Sequence, residues 1–226
     1  MFDEPIVLDN VISKLYQEHI RDSLLSAKIE WYYQPDITYP MGKMPIGFIP
    51  KPGLSHLYYD NVRSPNPLSP WHHMIYPLLL EVCDKQGIVF DELMRARSFL
   101  HFPTDPNNKL LNHPHIDYEI PHLVVLYYVN DSDGPTVLYN ETLSDIKEHD
   151  ISLDKLTVKM KVEPKQGRVV IFDGHTYHSS TQPTKSSRCI INYNLLGASK
   201  VWKLSLHFLQ KYYIEYHAIP DLEQVY

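Results

Sequence analysis

The sequence is poor in cysteine, in long apolar runs and in net positive charge. Only two cysteines, Cys83 and Cys189, occur in 226 residues, which excludes a disulfide framework and fits a reducing compartment. No apolar run reaches the roughly 18–20 residues that a membrane span needs. The N-terminus starts with an acidic segment and lacks the basic region of a secretion signal. A net charge of −6 argues against non-specific binding to nucleic acid or anionic membranes. These absences predict a soluble, cytoplasmic protein.

The chain also lacks internal repeats, low-complexity tracts and the composition shift of a domain linker. Its length suffices for one large domain with a substantial core, and we predict a single domain. Within it we expect N-terminal helices and a proline-rich loop over about 1–92, a core over about 93–200 and a C-terminal extension over about 201–226. The 17 tyrosines against 7 phenylalanines favour a β-rich fold with half-exposed strands, with an aromatic binding surface as the alternative.

The N-terminal part contains two helical patterns separated by a proline-rich segment. Apolar residues at helical spacing predict a helix over Asp9–Lys28, followed by a short strand over Ile29–Tyr33. Eight prolines in the segment 34–70 argue against a regular helix or a central strand there. That segment is either a lid over a binding site or a loop that only packs on the domain. A second helix, kinked or shortened by Pro77, is predicted over Pro70–Gln86.

From Glu92 onward the sequence has the pattern of a β-protein. Alternating polar and apolar residues, dense apolar runs and turn signals predict six strands. These strands are Met94–Phe102, His122–Asn130, Pro135–Asn140, Leu156–Val162, Gly167–Phe172 and Arg188–Leu195. We expect a loop with a helical turn over Thr142–Asp154 and a C-terminal helix over about Ser205–Tyr216.

Two short stretches carry the residues with the most chemistry. His115 and Asp117 stand two positions apart, so in an extended segment both side chains point to the same face and can reach one cation. His178 follows on the far side of a strand-and-turn signal, and Arg188 lies ten residues beyond it. Two histidines and one carboxylate that leave coordination positions open are the ligand set of non-haem Fe(II) oxygenases.

Both stretches lie in a segment, from about Leu93 to Leu196, that resembles the catalytic half of 2-oxoglutarate- and Fe(II)-dependent dioxygenases, closest to their prolyl 4-hydroxylase-like branch. The matching text is HPHID, HLVVLYYVNDSDGPTVLYNE and VEPKQGRVVIFDGHTYHSSTQPTKSSRCIINYNL. It covers a little under half of the chain, in the order and with the spacing of that family. The resemblance implies a mainly β fold with flanking helices around a double-stranded β-helix, the jelly roll of cupins, with iron inside its mouth.

The resemblance also implies the metal ligands. His115, Asp117 and His178 match the metal positions of the family. Two rival histidines remain: His113 shares the two-residue spacing but brings no carboxylate, and His175 could ligate if the turn were shorter. We favour His178 because it gives the family-like spacing to Arg188.

The same resemblance makes Arg188 the anchor of the distal carboxylate of 2-oxoglutarate, for which a planar guanidinium fork is well suited. In the family a tyrosine often accompanies this anchor. Tyr127 and Tyr139 are the candidates, and strand alternation alone does not decide which of them faces inward. Ser180 or Thr181 is a further candidate for a hydrogen bond to the same group.

The implied cofactors are Fe(II), 2-oxoglutarate and O2, with ascorbate as an additional candidate. Because Asp117 is retained, the resemblance implies hydroxylation of a C–H bond, with succinate and CO2 as co-products, rather than halogenation. The expected substrate is a peptide or a small molecule, with peptidyl proline first, and not a nucleic acid. An extended proline-rich chain could stack on aromatic residues in or beside the segment 34–70. These residues are Trp31, Tyr32, Tyr33, Tyr58, Tyr59 and Trp71.

Three other functions use the same residue types. A cupin-like metal-binding protein or isomerase on the same fold is the first, but it needs no anchor such as Arg188 for a 2-oxo acid. A catalytically inactive interaction module is the second, and the intact ligand set argues against it. A hydrolytic zinc enzyme is the third, because zinc also accepts these ligands, but no general-base motif accompanies them.

Overall fold

The computed structural model describes residues 2, 4–38, 50–108 and 111–200. Within these ranges the chain forms twelve strands and three α-helices. The strands are β1 (Ile6–Leu8), β2 (Tyr32–Gln34), β3 (Gly53–Asp60), β4 (Ile88–Val89), β5 (Glu92–His101), β6 (Leu123–Tyr128), β7 (Thr136–Thr142), β8 (Val158–Val162), β9 (Val169–Asp173), β10 (Thr176–Ser180), β11 (Arg188–Leu196) and β12 (Ser199–Lys200). The helices are α1 (Lys14–Leu24), α2 (His72–Gln86) and α3 (Leu143–His149). Among these residues no helix is long and apolar enough to cross a membrane.

Antiparallel pairing arranges most of these strands into two sheets. The larger sheet has the order β1-β9-β6-β11-β5-β3-β2, and the smaller has the order β10-β7-β8. Single bridges from Leu111 to Thr181 and from His115 to His178 add the segment 111–115 beside β10. Apolar side chains from both sheets pack together between them. Two antiparallel sheets joined in this way form a jelly roll, and the predicted fold class is confirmed.

Strand β6 lies between two apolar layers, and all six of its residues are buried. Val125 and Tyr127 face a cluster that includes residues of α1 and α2, whereas Leu126 and Tyr128 face the space between the two sheets. Side chains alternate along a strand, so an apolar partner on each face favours an unbroken apolar run. That space between the sheets is where the candidate site lies.

Helix α1 confirms the predicted N-terminal helix but starts later and is shorter than Asp9–Lys28. The Ser13 side chain accepts a hydrogen bond from the backbone N–H of Tyr16 at 3.3 Å and so caps the helix. Ile20 and Leu24 on its inner face are fully buried. The helix covers the larger sheet with this face, as its apolar spacing predicts.

Strand β3 corrects the prediction that prolines exclude a central strand from the segment 34–70. It pairs with β5 on one side and with β2 on the other. Its eight residues contain no proline, because Pro52 precedes the strand and Pro65 follows the turn after it. Prolines that flank a strand leave its hydrogen-bond ladder intact.

Helix α2 runs through Pro77, so this proline does not shorten it, and the helix ends at Gly87, whose φ of 61° is left-handed. Two other predictions lie outside the described residues: the part of the lid over 39–49, and the C-terminal extension 201–226 with its helix.

Candidate metal centre

The smaller sheet brings His115 and His178 side by side. The backbone N–H of His115 donates to the carbonyl of His178 at 2.9 Å, and the backbone N–H of His178 donates to the carbonyl of His115 at 3.0 Å. The two ring centres are 4.5 Å apart. Asp117 lies two residues further along the first segment, and one ligand atom from each of the three side chains lies within 4.8 Å of the other two. The structure therefore groups the three residues that the sequence predicts as metal ligands.

Hydrogen bonds determine which nitrogen of each imidazole ring is left to bind a metal. The Nδ1 atom of His115 lies 3.1 Å from the carbonyl of His113, and the Nδ1 atom of His178 lies 3.2 Å from the carbonyl of Thr176. A carbonyl only accepts, so each Nδ1 carries the proton and each Nε2 keeps its lone pair. This is the tautomer that a metal-binding histidine needs when its Nδ1 is tied to a carbonyl.

Both imidazoles are held neutral by their surroundings. Burial lowers the pKa of His115 to about 3, with a further contribution from the neighbouring His178. Burial also lowers the pKa of His178. A neutral imidazole is the form that binds metal, so no proton has to be displaced from either ring near neutral pH.

Asp117 is held by four donors. Its Oδ1 accepts from Arg97 at 3.0 Å and from Arg95 at 3.4 Å, and its Oδ2 accepts from Asn192 at 2.9 Å and Asn194 at 2.8 Å. Burial by itself raises the pKa of this carboxyl, but nearby positive charge, with Arg97 the largest contributor, outweighs burial and holds the pKa well below 3.8. The carboxylate is therefore ionised and fixed in orientation.

Arg188 lies at the other end of the same space. It starts β11, is 1% exposed, and donates from Nη2 to the hydroxyl of Thr136 at 2.8 Å. Its guanidinium carbon lies 5.7 Å from the centre of the Tyr128 ring. Its Nε has no hydrogen-bond partner, and within the described residues no carboxylate forms an ion pair with it. A Cβ on Gly134 would come within 3.2 Å of its Cδ, so this end is tightly packed.

One cavity joins the three candidate ligands to Arg188. His115, Asp117 and His178 line it together with Arg188 and His101. The other lining residues are Ile37, Thr38, Arg97, Phe99, Leu126, Thr136, Ser179, Ser180, Ile190 and Asn192. Among the described residues, four side chains on its wall have buried polar atoms without partners: the Nε of Arg97, the Nε of Arg188, both ring nitrogens of His101 and the Oδ1 of Asn192. Buried polar atoms without partners are costly, so the cavity is built for a polar ligand.

The two tyrosines expected beside Arg188 are not in this cavity. Tyr127 points to the opposite face of β6, where it packs in the cluster with the helices. Tyr139 lies on the outer face of the smaller sheet, where its hydroxyl is 3.1 Å from that of Ser179. Tyr128 is the tyrosine that faces Arg188. Of the hydroxyl candidates, Ser180 lines the cavity.

The rival histidines lie elsewhere. His113 holds its Nδ1 3.0 Å from the carbonyl of Pro114. His175 holds its Nε2 2.8 Å from the carbonyl of Glu119. Neither belongs to the group of potential ligands found among the described residues. The geometry thus agrees with the preference for His178.

Several residues of the site were missed by sequence reasoning, although their positions carried a signal. Asn192 and Asn194 stand an even number of residues from the predicted Arg188 on β11, so they share its face. Arg97 and His101 share a face of β5 in the same way. Polar residues at even spacing in otherwise apolar strands mark a polar interior, and this pattern identifies them.

No family model matches the sequence, and no curated protein matches it. Solved structures do match. The epimerase SnoN, in complex with Fe3+, alpha ketoglutarate and nogalamycin RO, has a TM-score of 0.55 at 11% identity over 98% of this chain and 87% of its own. An oxidoreductase of the 2OG-Fe(II) oxygenase family from Burkholderia pseudomallei has a TM-score of 0.57 at 14% identity, over 86% and 84%. A prolyl hydroxylase from Trichoplax adhaerens, in complex with a peptide fragment of the hypoxia inducible factor, has a TM-score of 0.53 at 13% identity, over 86% and 84%. The chain therefore has the double-stranded β-helix fold found in 2OG-Fe(II) oxygenases.

Proposed function

We propose that this protein is an Fe(II)- and 2-oxoglutarate-dependent dioxygenase that hydroxylates a C–H bond of a peptide or small molecule. The observation that carries the proposal is Arg188. A guanidinium that is 1% exposed and has no carboxylate partner among the described residues is costly, unless an anionic ligand completes it. The cavity that it shares with the three potential metal ligands is where such a ligand would bind.

The donor set fits Fe(II). His115 and His178 supply neutral nitrogens, Asp117 supplies one carboxylate, and three protein ligands leave positions open for a cosubstrate. SnoN, which shares the fold, binds Fe3+ and alpha ketoglutarate. Zinc also accepts these ligands, but a zinc hydrolase has no use for Arg188 at the far end of the cavity.

The other end of the cavity fits a dicarboxylate such as 2-oxoglutarate. Arg188 can offer two parallel N–H bonds to the distal carboxylate, and its bond to Thr136 orients the guanidinium. The unpartnered nitrogens of His101 lie beside this arginine. A cupin-like binding protein or an inactive relative would not need this anchor together with an intact ligand set.

The reaction divides between the cofactors and the protein. Bound iron, 2-oxoglutarate and O2 supply the oxidising chemistry, in which R–H, 2-oxoglutarate and O2 give R–OH, succinate and CO2. The protein binds and orients these groups and excludes water, with ascorbate as a further candidate cofactor. The carboxylate of Asp117 occupies the position that a halogenating relative leaves to halide, so hydroxylation is the proposed outcome.

Peptidyl proline stays a prediction, and the aromatic groove proposed for it loses most of its members. Tyr58 is fully buried in the core, while Trp31, Tyr59 and Trp71 are partly buried and pack against the core. Only Tyr32 and Tyr33 stand exposed. A cytoplasmic location also stays a proposal, supported by two free cysteines.

Succinate formation tests the proposal. Purified protein with Fe(II), 2-oxoglutarate and ascorbate is incubated with proline-rich peptides, free amino acids or single-stranded oligonucleotides, and succinate is quantified. We expect 2-oxoglutarate-dependent succinate that is lost in His178→Ala and kept in His175→Ala, since His175 lies outside the ligand group. Folded, iron-loaded protein that forms no succinate under any condition would contradict the proposal.

A further inference from the structure

Arg95 and Arg97 form a positively charged wall beside the candidate metal centre. Both lie on β5, two residues apart, and both reach the same oxygen of Asp117. The guanidinium carbon of Arg95 lies over the Tyr118 ring, 4.6 Å from its centre, and that of Arg97 lies over the Phe99 ring, 4.6 Å from its centre. These aromatic contacts help to hold both guanidiniums in place.

These two arginines have more hydrogen-bonding capacity than their neighbours use. Each guanidinium carries five N–H donors. Arg97 donates to Asp117 at 3.0 Å, and Arg95 makes two long contacts of 3.4 Å, to Asp117 and Asn194. Within the part of the chain that the structure describes, the Nε atom of each is buried and has no partner. A guanidinium whose donors are only partly used can bind a further acceptor.

The charge around Asp117 is also unbalanced. Two guanidiniums share one carboxylate oxygen. A divalent ion at the three ligands would add two more positive charges next to them. Like charges at this distance in a partly buried site repel each other, which a second anion would relieve.

A second cavity offers room for that anion. Arg95 and Arg97 line it, together with Arg63, Ser55 and Gln34. It shares four residues with the cavity of the candidate metal centre: Ile37, Thr38, Arg97 and Phe99. A molecule in the second cavity would therefore lie next to the metal-binding side chains.

Two acidic residues also line this cavity, and Asp60 stands opposite Arg95 where β3 pairs with β5. Asp60 accepts from the backbone N–H of Val62 at 3.1 Å and faces Arg63 at 3.7 Å. Asp36 accepts from two backbone N–H groups at 2.8 Å, those of Thr38 and Lys51. Neither is among the hydrogen-bond or ion-pair partners of Arg95 and Arg97.

We infer that Arg95 and Arg97 bind an oxyanion of the substrate, a carboxylate or a phosphate, and hold the substrate beside the metal. The inference rests on the proposed function and defines its substrate class as anionic. An anionic substrate differs from the predicted neutral proline-rich chain. A neutral chain would bring no negative group to Arg95 and Arg97.

Paramagnetic relaxation tests the inference without turnover. The protein is loaded with Mn(II) and saturating 2-oxoglutarate, and the relaxation of inorganic phosphate (31P) and of carboxyl-labelled acetate (13C) is measured, with labelled acetamide as the neutral control. We expect saturable enhancement for at least one anion and none for acetamide. In Arg95→Gln the enhancement should fall at least about fivefold, the loss of one charge-assisted hydrogen bond.

Matched variants separate a specific site from general attraction. Arg63→Gln removes the same charge from the rim, where the side chain is 68% exposed, and should change the enhancement less than about twofold. Arg95→Lys keeps the positive charge but loses the planar pair of N–H donors of the guanidinium. It replaces Arg95→Gln in the experiment if Arg95→Gln does not fold. Enhancement by acetate alone or phosphate alone identifies the group.

Three results would overturn the inference: no enhancement for either anion, equal enhancement in wild type and Arg95→Gln, or an equal loss in Arg63→Gln. A separate titration of 2-oxoglutarate on the same samples keeps the two proposals apart. If 2-oxoglutarate binds and the anions do not, only the substrate inference fails. If 2-oxoglutarate does not bind, the proposed function fails first.

Discussion

Replacing Arg188 by methionine should separate stability from ligand binding. The guanidinium is 1% exposed, donates a charge-assisted hydrogen bond to Thr136 and also interacts with Tyr128. Losing the hydrogen bond to Thr136 lowers the free energy of unfolding by about 1.5–3 kcal/mol. Removing a buried charge that has no counter-ion raises it by several kcal/mol. Methionine has a similar length and fills the space. We therefore expect the ligand-free variant to be about 1–3 kcal/mol more stable than wild type.

The same substitution should abolish the response to 2-oxoglutarate. A ligand at one hundred times its Kd stabilises the folded state by about 2.7 kcal/mol. Urea unfolding of the Mn(II)-loaded protein, followed by tryptophan fluorescence with and without 2-oxoglutarate, measures both effects. Wild type should gain about 2.7 kcal/mol, and Arg188→Met should gain nothing. Without 2-oxoglutarate, Arg188→Met should have the higher unfolding free energy. With 2-oxoglutarate, its difference from wild type should shrink or change sign.

Arg168→Met is the matched control. Arg168 forms a bidentate pair with Asp9 through bonds of 2.7 and 3.0 Å and donates to the carbonyl of Glu163 at 3.0 Å, so its loss should destabilise the protein but leave the response to 2-oxoglutarate intact. The reasoning is refuted if ligand-free Arg188→Met loses 2 kcal/mol or more, because the guanidinium would then be compensated within the fold. An undiminished response in Arg188→Met would show that Arg188 is not the anchor of 2-oxoglutarate.

Three further changes test the site. Tyr128→Phe removes the hydroxyl that donates to Thr136 at 2.7 Å and should weaken 2-oxoglutarate binding about threefold to tenfold by calorimetry, whereas Tyr127→Phe should leave it unchanged. Asn194→Leu removes a donor to a ligand carboxylate and should weaken Mn(II) binding about tenfold to a hundredfold by competition titration; unchanged affinity would show that the donor is dispensable. Acidification should destabilise the metal-free protein: His115 has a pKa of about 3 when folded and about 6.5 when unfolded, so the unfolded state binds more protons between these values. From pH 7 to pH 5 the protonation of His115 alone lowers the unfolding free energy by up to about 2 kcal/mol. In urea titrations at the two pH values, the unfolding free energy of His115→Asn should decrease less than that of wild type.

Local spacing was enough to place His115 and Asp117 on one face, because they needed only an extended segment. The jelly roll and the choice of His178 as third ligand came from the resemblance to the dioxygenase family, whose motifs stand in this sequence in the same order and with compatible spacing. Helix α2 was predicted from its apolar stripe, with its end at Gly87 given by the need for a left-handed residue.

The errors concern orientation and long-range pairing. Tyr127 and Tyr128 stand side by side in a strand buried on both faces, and only the position of the helices decides which of them meets Arg188. Strand β3 was missed because the prolines around it outweighed the eight residues between them. The four donors on Asp117 come from β5 and β11, and no local pattern connects those strands to it.

The central claim is that the three ligands and Arg188 hold Fe(II) and 2-oxoglutarate together. Anaerobic addition of Fe(II) and then 2-oxoglutarate to the purified metal-free protein tests it most directly, by visible absorption spectroscopy. We predict a weak metal-to-ligand charge-transfer band that needs both additions, that Asp117→Ala abolishes, and that Arg188→Lys shifts to higher 2-oxoglutarate concentrations. Folded protein that gives no such band at saturating concentrations of both would contradict the account.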